Sequence, residues 1–149
     1  MIGQLSYSDD WWLTCEISRE TGRYYRRLFE MYRWGVEKAL PPSNGYHITI
    51  ISPHELGMFD TSLWGYKSGD TIQFDILLEP QTNSNALWFP VVSKDIDDLR
   101  LKFGMPIERA IPLHFCVGYL RQGKDYTLDN PVAMNYDEFI RNTRSDHIQ

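Results

Sequence analysis

The order strand, helix, strand occurs twice in this 149-residue chain, and that repeat limits the available folds more than any other feature. "WWLTCEIS" (11–18) alternates with period two. Trp11, Leu13, Cys15 and Ile17 share one face and Trp12, Thr14 and Glu16 the other, the pattern of a half-buried strand. Thr21 is then placed to cap a helix whose apolar positions Tyr24, Leu28, Met31, Tyr32, Val36 and Ala39 follow helical spacing. Pro41 and Pro42 end it, and the β-branched run "YHITII" (46–51) predicts a second strand. The second round is a strand over 87–93, a helix over 94–104 with Ile96, Leu99 and Phe103 on one face and Gly104 as its stop, and a strand over 113–119.

Between the two units, residues 52–70 carry three glycines and no clear period, which predicts a long loop of the kind that often serves function. "TIQFDILL" (71–78) alternates again and is expected to bury Ile72, Phe74, Ile76 and Leu78. Pro90 points to an edge or a bulge in the strand over 87–93. Asn135 and Glu138 form a capping box that predicts a short helix through Phe139 and Ile140, followed by a frayed tail. The expected fold is a duplicated α+β sandwich, with halves at about 10–52 and 86–120 inside one domain spanning 1–149.

Each unit ends in a strand with a histidine two residues before a small hydrogen-bonding side chain. These are His47 with Thr49 in "HITI" and His114 with Cys116 in "HFCV". Residues i and i+2 of a strand point the same way. Ile48, Ile50, Phe115 and Val117 are therefore expected to face the helices, and His47, Thr49, His114 and Cys116 the opposite side. If the two strands lie near each other, two imidazoles meet on one surface. That suits phosphodiester chemistry, because a pKa near 6.5 allows one ring to be neutral and the other charged around neutral pH. The neutral ring takes a proton from an attacking hydroxyl, the charged ring gives one to the leaving oxygen, and no metal is needed. Thr49 and Cys116 would hydrogen-bond the non-bridging phosphate oxygens.

The paired motifs resemble those of the two-histidine (2H, LigT-like) phosphoesterase superfamily, and the resemblance covers most of the chain from Trp11 to Tyr119. Within it, "GRYYRRLFEMYRWG" and "LPPSNGYHITI" look most like small bacteriophage anti-CBASS nucleases, which cleave cyclic oligonucleotide immune signals. The resemblance implies two antiparallel sheets around a central cleft with helices outside. It also implies His47 and His114 as the acid–base pair, Thr49 as a phosphate ligand, and a cyclic oligonucleotide or short RNA as substrate. Cys116 stands where the family has a second Thr or Ser, and a thiol is the poorer donor. A sequestering module that binds a nucleotide without cutting it, and an RNA 2′,3′-cyclic phosphodiesterase of RNA repair, are therefore alternative expectations, as is a phage component that makes only protein contacts.

Alternation adds Trp12, Thr14, Glu16, Gln73 and Trp88 to the cleft face, where the two tryptophans could stack on bases. Aromatic residues make up 14% of the chain, high for its size, so some rings are available for a ligand or a homodimer interface. Trp64, Tyr66 and Lys67 in the long loop are candidates for a lid over a nucleotide. Arg23 and Arg26 belong to a basic stretch from Arg19 to Lys38 that could reach phosphate. His54 and His147 read as surface residues, and His47, His54 and His114 lack zinc-ligand spacing. No metal or cofactor is expected. A net charge of −5 argues against duplex DNA as a partner. The two cysteines read as free thiols in a reducing cytosol, and no apolar run reaches membrane-spanning length, so a cytoplasmic protein is expected.

Overall fold

The computed structural model describes residues 1–32, 39–83, 85–109 and 111–120. Val36, the capping box at Asn135 and Glu138, and His147 lie outside them. Within them the chain is α+β, with two helices and one large antiparallel sheet. The strands are β1 (Ile2–Tyr7), β2 (Leu13–Glu16), β3 (Ala39–Leu40), β4 (His47–Ile51), β5 (Thr71–Gln73), β6 (Asp75–Ile76), β7 (Gln81–Thr82), β8 (Ala86–Val92) and β9 (His114–Leu120). The helices are α1 (Arg19–Tyr32) and α2 (Lys94–Lys102).

The sheet runs β5-β1-β2-β4-β9-β8-β6, with β3 on β9 and β7 on β8. Its two outer strands, β5 and β6, are consecutive in the chain and separated only by Phe74, whose amide donates to the Met1 carbonyl at 2.9 Å. One kinked segment thus supplies both edges, and the sheet nearly closes on itself. This single hydrogen-bonded path replaces the expected pair of sheets. The kink also ends the alternation expected over 71–78, and Leu78, expected inside, is 57% exposed.

Leu5, Leu13, Cys15, Ile48, Ile50, Phe89, Phe115 and Val117 fill one side of the sheet together with Phe29 of α1 and Ile96 and Phe103 at α2. Strand β1 has no counterpart in the sequence reading. Only Gly3 and Leu5 of its inward positions are fully buried, and glycine gives no apolar signal. Helix α1 starts earlier than expected, since Ser18 Oγ, not Thr21, accepts the first-turn amide, that of Thr21, at 3.2 Å. Its buried face is Tyr25 and Phe29, four residues apart, with the Tyr25 ring 5.6 Å from Phe89 and 6.1 Å from Phe115. Tyr24 and Met31, expected on that face, are in solvent. Gly22 lets the helix lie against Tyr46, since a Cβ there would fall 2.1 Å from the ring. Helix α2 opens on Ser93, whose Oγ accepts from the Ile96 amide, with Asp95 and Asp97 in the first turn and Arg100 and Lys102 in the last.

Arg100 is 1% exposed. It pairs with Glu55 at 3.0 Å and donates to the carbonyls of Ile50 at 2.9 Å and Pro106 at 3.0 Å. One buried guanidinium thereby ties α2 to the far end of β4 and to the loop after it.

Candidate active site

Strands β4 and β9 lie side by side in the middle of the sheet, paired antiparallel at Ile48 and Phe115. Both of those side chains are fully buried on the core side. Their neighbours along each strand must point the other way, and His47, Thr49, His114 and Cys116 do line one cavity. Extending the register by one residue in each direction sets His47 across from Cys116 and Thr49 across from His114. The two histidines are then diagonal neighbours, a relation that separates residues by about 7–8 Å, with their Cβ atoms somewhat closer.

The two rings are held alike. His47 Nδ1 lies 3.3 Å from the Gly45 carbonyl and His114 Nδ1 lies 3.0 Å from the Pro112 carbonyl, in each case two residues back. A nitrogen facing a carbonyl must donate, so the neutral ring carries its lone pair on Nε2. Gly45 makes the first approach through a left-handed turn at φ +79°, which favours glycine.

The charged neighbours of the two rings differ. Glu16 of β2 pairs across from His47. Burial lowers the His47 pKa below 6.5, with Glu16 and the Gly45 carbonyl opposing that shift. His114 is lowered to about 4, chiefly by burial, with Arg109 and His47 adding to the fall and the Pro112 carbonyl opposing it. Burial also raises the Cys116 thiol to about 11, so it stays protonated and is no nucleophile near neutral pH.

Trp88 pairs across from Cys116 and is 5% exposed. It packs with Ala86 and Ile111, with Tyr119 against them, and forms an apolar wall of the cavity. Trp12 is half-buried and stands between this cavity and a second one lined by Thr14, Glu16, Ser6, Ser8 and Asp10; His47 and Asn44 border both. Trp11, with φ +71°, turns the chain so that its own ring packs 5.0 Å from Trp64 while Trp12 reaches the cleft. Of the expected cleft residues, the structure therefore brings together His47, Thr49, His114, Cys116, Trp12 and Trp88, with Thr14 and Glu16 in the adjoining cavity.

The remaining candidates are placed elsewhere. Trp64 sits among Tyr7, Trp11, Phe59 and Phe103, and its Nε1 donates to the Ser8 carbonyl at 3.1 Å. Tyr66 carries Lys67 and Lys102 over its ring at 5.5 and 5.4 Å. Neither Trp64, Tyr66 nor Lys67 lines either cavity. Arg23 and Arg26 act on Tyr46, which packs 6.1 Å from Phe115 on the helix side of the sheet. Gln73 lies on edge strand β5, where its amide donates to Asp95. His54 does line the second cavity.

One residue was not singled out from sequence. Arg109 lines the main cavity, and its Nη1 donates to the Thr49 carbonyl at 2.9 Å. Its only signal was an isolated basic residue shortly before the second motif. Among the described residues, no group of three or more His, Cys, Asp or Glu side chains is arranged to hold a metal, and no helix is long and apolar enough to cross a membrane. Comparison of the chain with protein-family models, curated proteins and solved structures gives no match in any of the three.

Proposed function

We propose that the protein is a metal-independent phosphodiesterase of the two-histidine kind, acting on RNA-like linkages and in particular on cyclic oligonucleotide signals. The observation that carries this is the adjacency of His47 and His114, from strands far apart in sequence, in one cavity with Thr49 and Cys116 beside them. The matching Nδ1 contacts support a duplicated origin for the halves at about 10–52 and 86–120. The tryptophans at the cavity support a substrate that carries bases.

The charged neighbours of the two rings support one division of roles. His114, beside Arg109, is kept neutral and takes the proton of the attacking 2′-hydroxyl; His47, across from Glu16, gives its proton to the leaving oxygen. For kcat/KM the expected profile is a bell on the acid side of neutrality. Activity rises as pH climbs through about 4, where His114 loses its proton, and falls again through the pKa of His47, which lies below 6.5. Initial rates at low substrate between pH 3.5 and 8 check this, and a plateau extending to pH 8 contradicts it.

A second reading is favoured by Cys116, whose thiol is a weak donor: a module that sequesters the nucleotide without cutting it. Incubation with cyclic di- and trinucleotides in the presence of EDTA, with products resolved by chromatography, separates the two. Linear product is expected from ribose substrates and none from their 2′-deoxy analogues, which lack the attacking hydroxyl. Tight binding with intact ligand recovered would favour sequestration, and neither binding nor product would remove both.

A further inference from the structure

We propose that Arg109 is the residue that anchors the phosphate in this cleft, its guanidinium holding a non-bridging oxygen from the bound state through the transition state. The role rests on the phosphodiesterase proposed above. A phosphodiester enters with a full negative charge, and Trp88, Ile111 and Tyr119 offer it only apolar or weakly polar surface. Thr49 supplies one hydroxyl and Cys116 a thiol, which together cannot balance that charge. The two imidazoles face Pro112 and Gly45 carbonyls through Nδ1, and proton transfer occupies their other nitrogens. Arg109 is the one lysine or arginine among the described residues lining the cavity.

Its placement is fixed by the strand that carries the chemistry. Nη1 donates to the backbone carbonyl of Thr49, the residue whose side chain turns into the cleft across from His114. A planar guanidinium with one nitrogen on that carbonyl keeps its charge beside the strand, and its flat array of donors suits phosphate recognition. In the step itself the 2′-oxygen bonds to phosphorus and its proton passes to His114. The bond from phosphorus to the leaving oxygen breaks, and that oxygen takes the proton of His47. Arg109 neither gains nor loses a proton. It offsets the charge that builds on the equatorial oxygens, a fixed donor aimed where charge develops. A weak thiol at 116 is tolerable if a full cation stands nearby.

Arg109→Gln in the full chain is expected to lower kcat/KM for a cyclic dinucleotide by about 10²- to 10³-fold, with Arg109→Lys recovering part of the loss. Inorganic phosphate, titrated while the imidazole NMR signals are followed, should move His114 in the wild-type protein and fail to do so in Arg109→Gln at the same concentration. Wild-type turnover and wild-type phosphate binding in Arg109→Gln would overturn the proposal. Because the substitution removes a contact to β4, the wild-type protein provides a second test that needs no variant. Its Arg109 side-chain NH signals should shift on adding phosphate, and signals unmoved while the histidines respond would also overturn it. Undiminished turnover in His47→Ala and His114→Ala would remove the phosphodiesterase instead, and the phosphate titration would still decide Arg109.

Discussion

Replacing His114 by alanine is expected to cut cleavage of an RNA-like phosphodiester by about 10²- to 10⁴-fold with little change in thermal stability. The ring is half-buried at the cleft, and its Nδ1 contact is to a carbonyl only two residues away, so that contact ties no remote part of the fold together. His47→Ala is expected to do the same, its ring being held in the same way by Gly45. If the two act as one proton relay, the double variant should be scarcely worse than either single one, because removal of one partner already leaves the other without a task. Rates from the two single variants and the double variant, each with its melting temperature, provide the test. Either single variant retaining full activity would discard the mechanism. Losses that simply multiply would point to two independent contributions.

The largest expected effect on stability lies outside the cleft. Arg100→Met should destabilise the protein by about 3–5 kcal/mol, the usual cost of breaking one side of a buried ion pair. Glu55 would keep its charge without its partner, and the Ile50 and Pro106 carbonyls would lose their donors. Adding Glu55→Gln to that variant should recover part of the loss, since the stranded carboxylate disappears. Urea unfolding at constant pH measures both changes through the midpoint. A shift of under about 0.5 kcal/mol for Arg100→Met, the usual range for surface changes, would mean that the pair is not the clasp described. Because Ile50 belongs to the strand that bears His47 and Thr49, the same variant should also lower activity at temperatures well below its melting point.

The residues that meet in the cleft were legible because they obey a local rule. In a strand, position i+2 repeats the direction of position i, and the isoleucines and phenylalanine between them mark the inner face. From that alone, His47 with Thr49 and His114 with Cys116 follow as two outward pairs. That β4 and β9 are immediate neighbours is a long-range fact that no local period encodes, and it was reached only as a condition. Arg109 was missed for a related reason, since its partner is a backbone carbonyl 60 residues away. Trp64 shows the opposite limit. A tryptophan in a glycine-rich loop is equally consistent with a lid and with a core plug, and only the positions of Tyr7, Phe59 and Phe103 decide that its ring packs inward. Strand β1 escaped notice because Gly3, Gln4 and Ser6 leave Leu5 almost alone as an apolar marker.

The seam at Ile48 and Phe115 joins stretches that are remote along the chain. Until that ladder forms, each imidazole is an ordinary side chain on a separate piece of polypeptide, and neither can assist the other. Under the proposed mechanism, chemical competence is consequently a property of the finished molecule. A nascent or partly melted chain would be inert well before it lost its helices, and enzymatic assay would register loosening of this joint earlier than circular dichroism does.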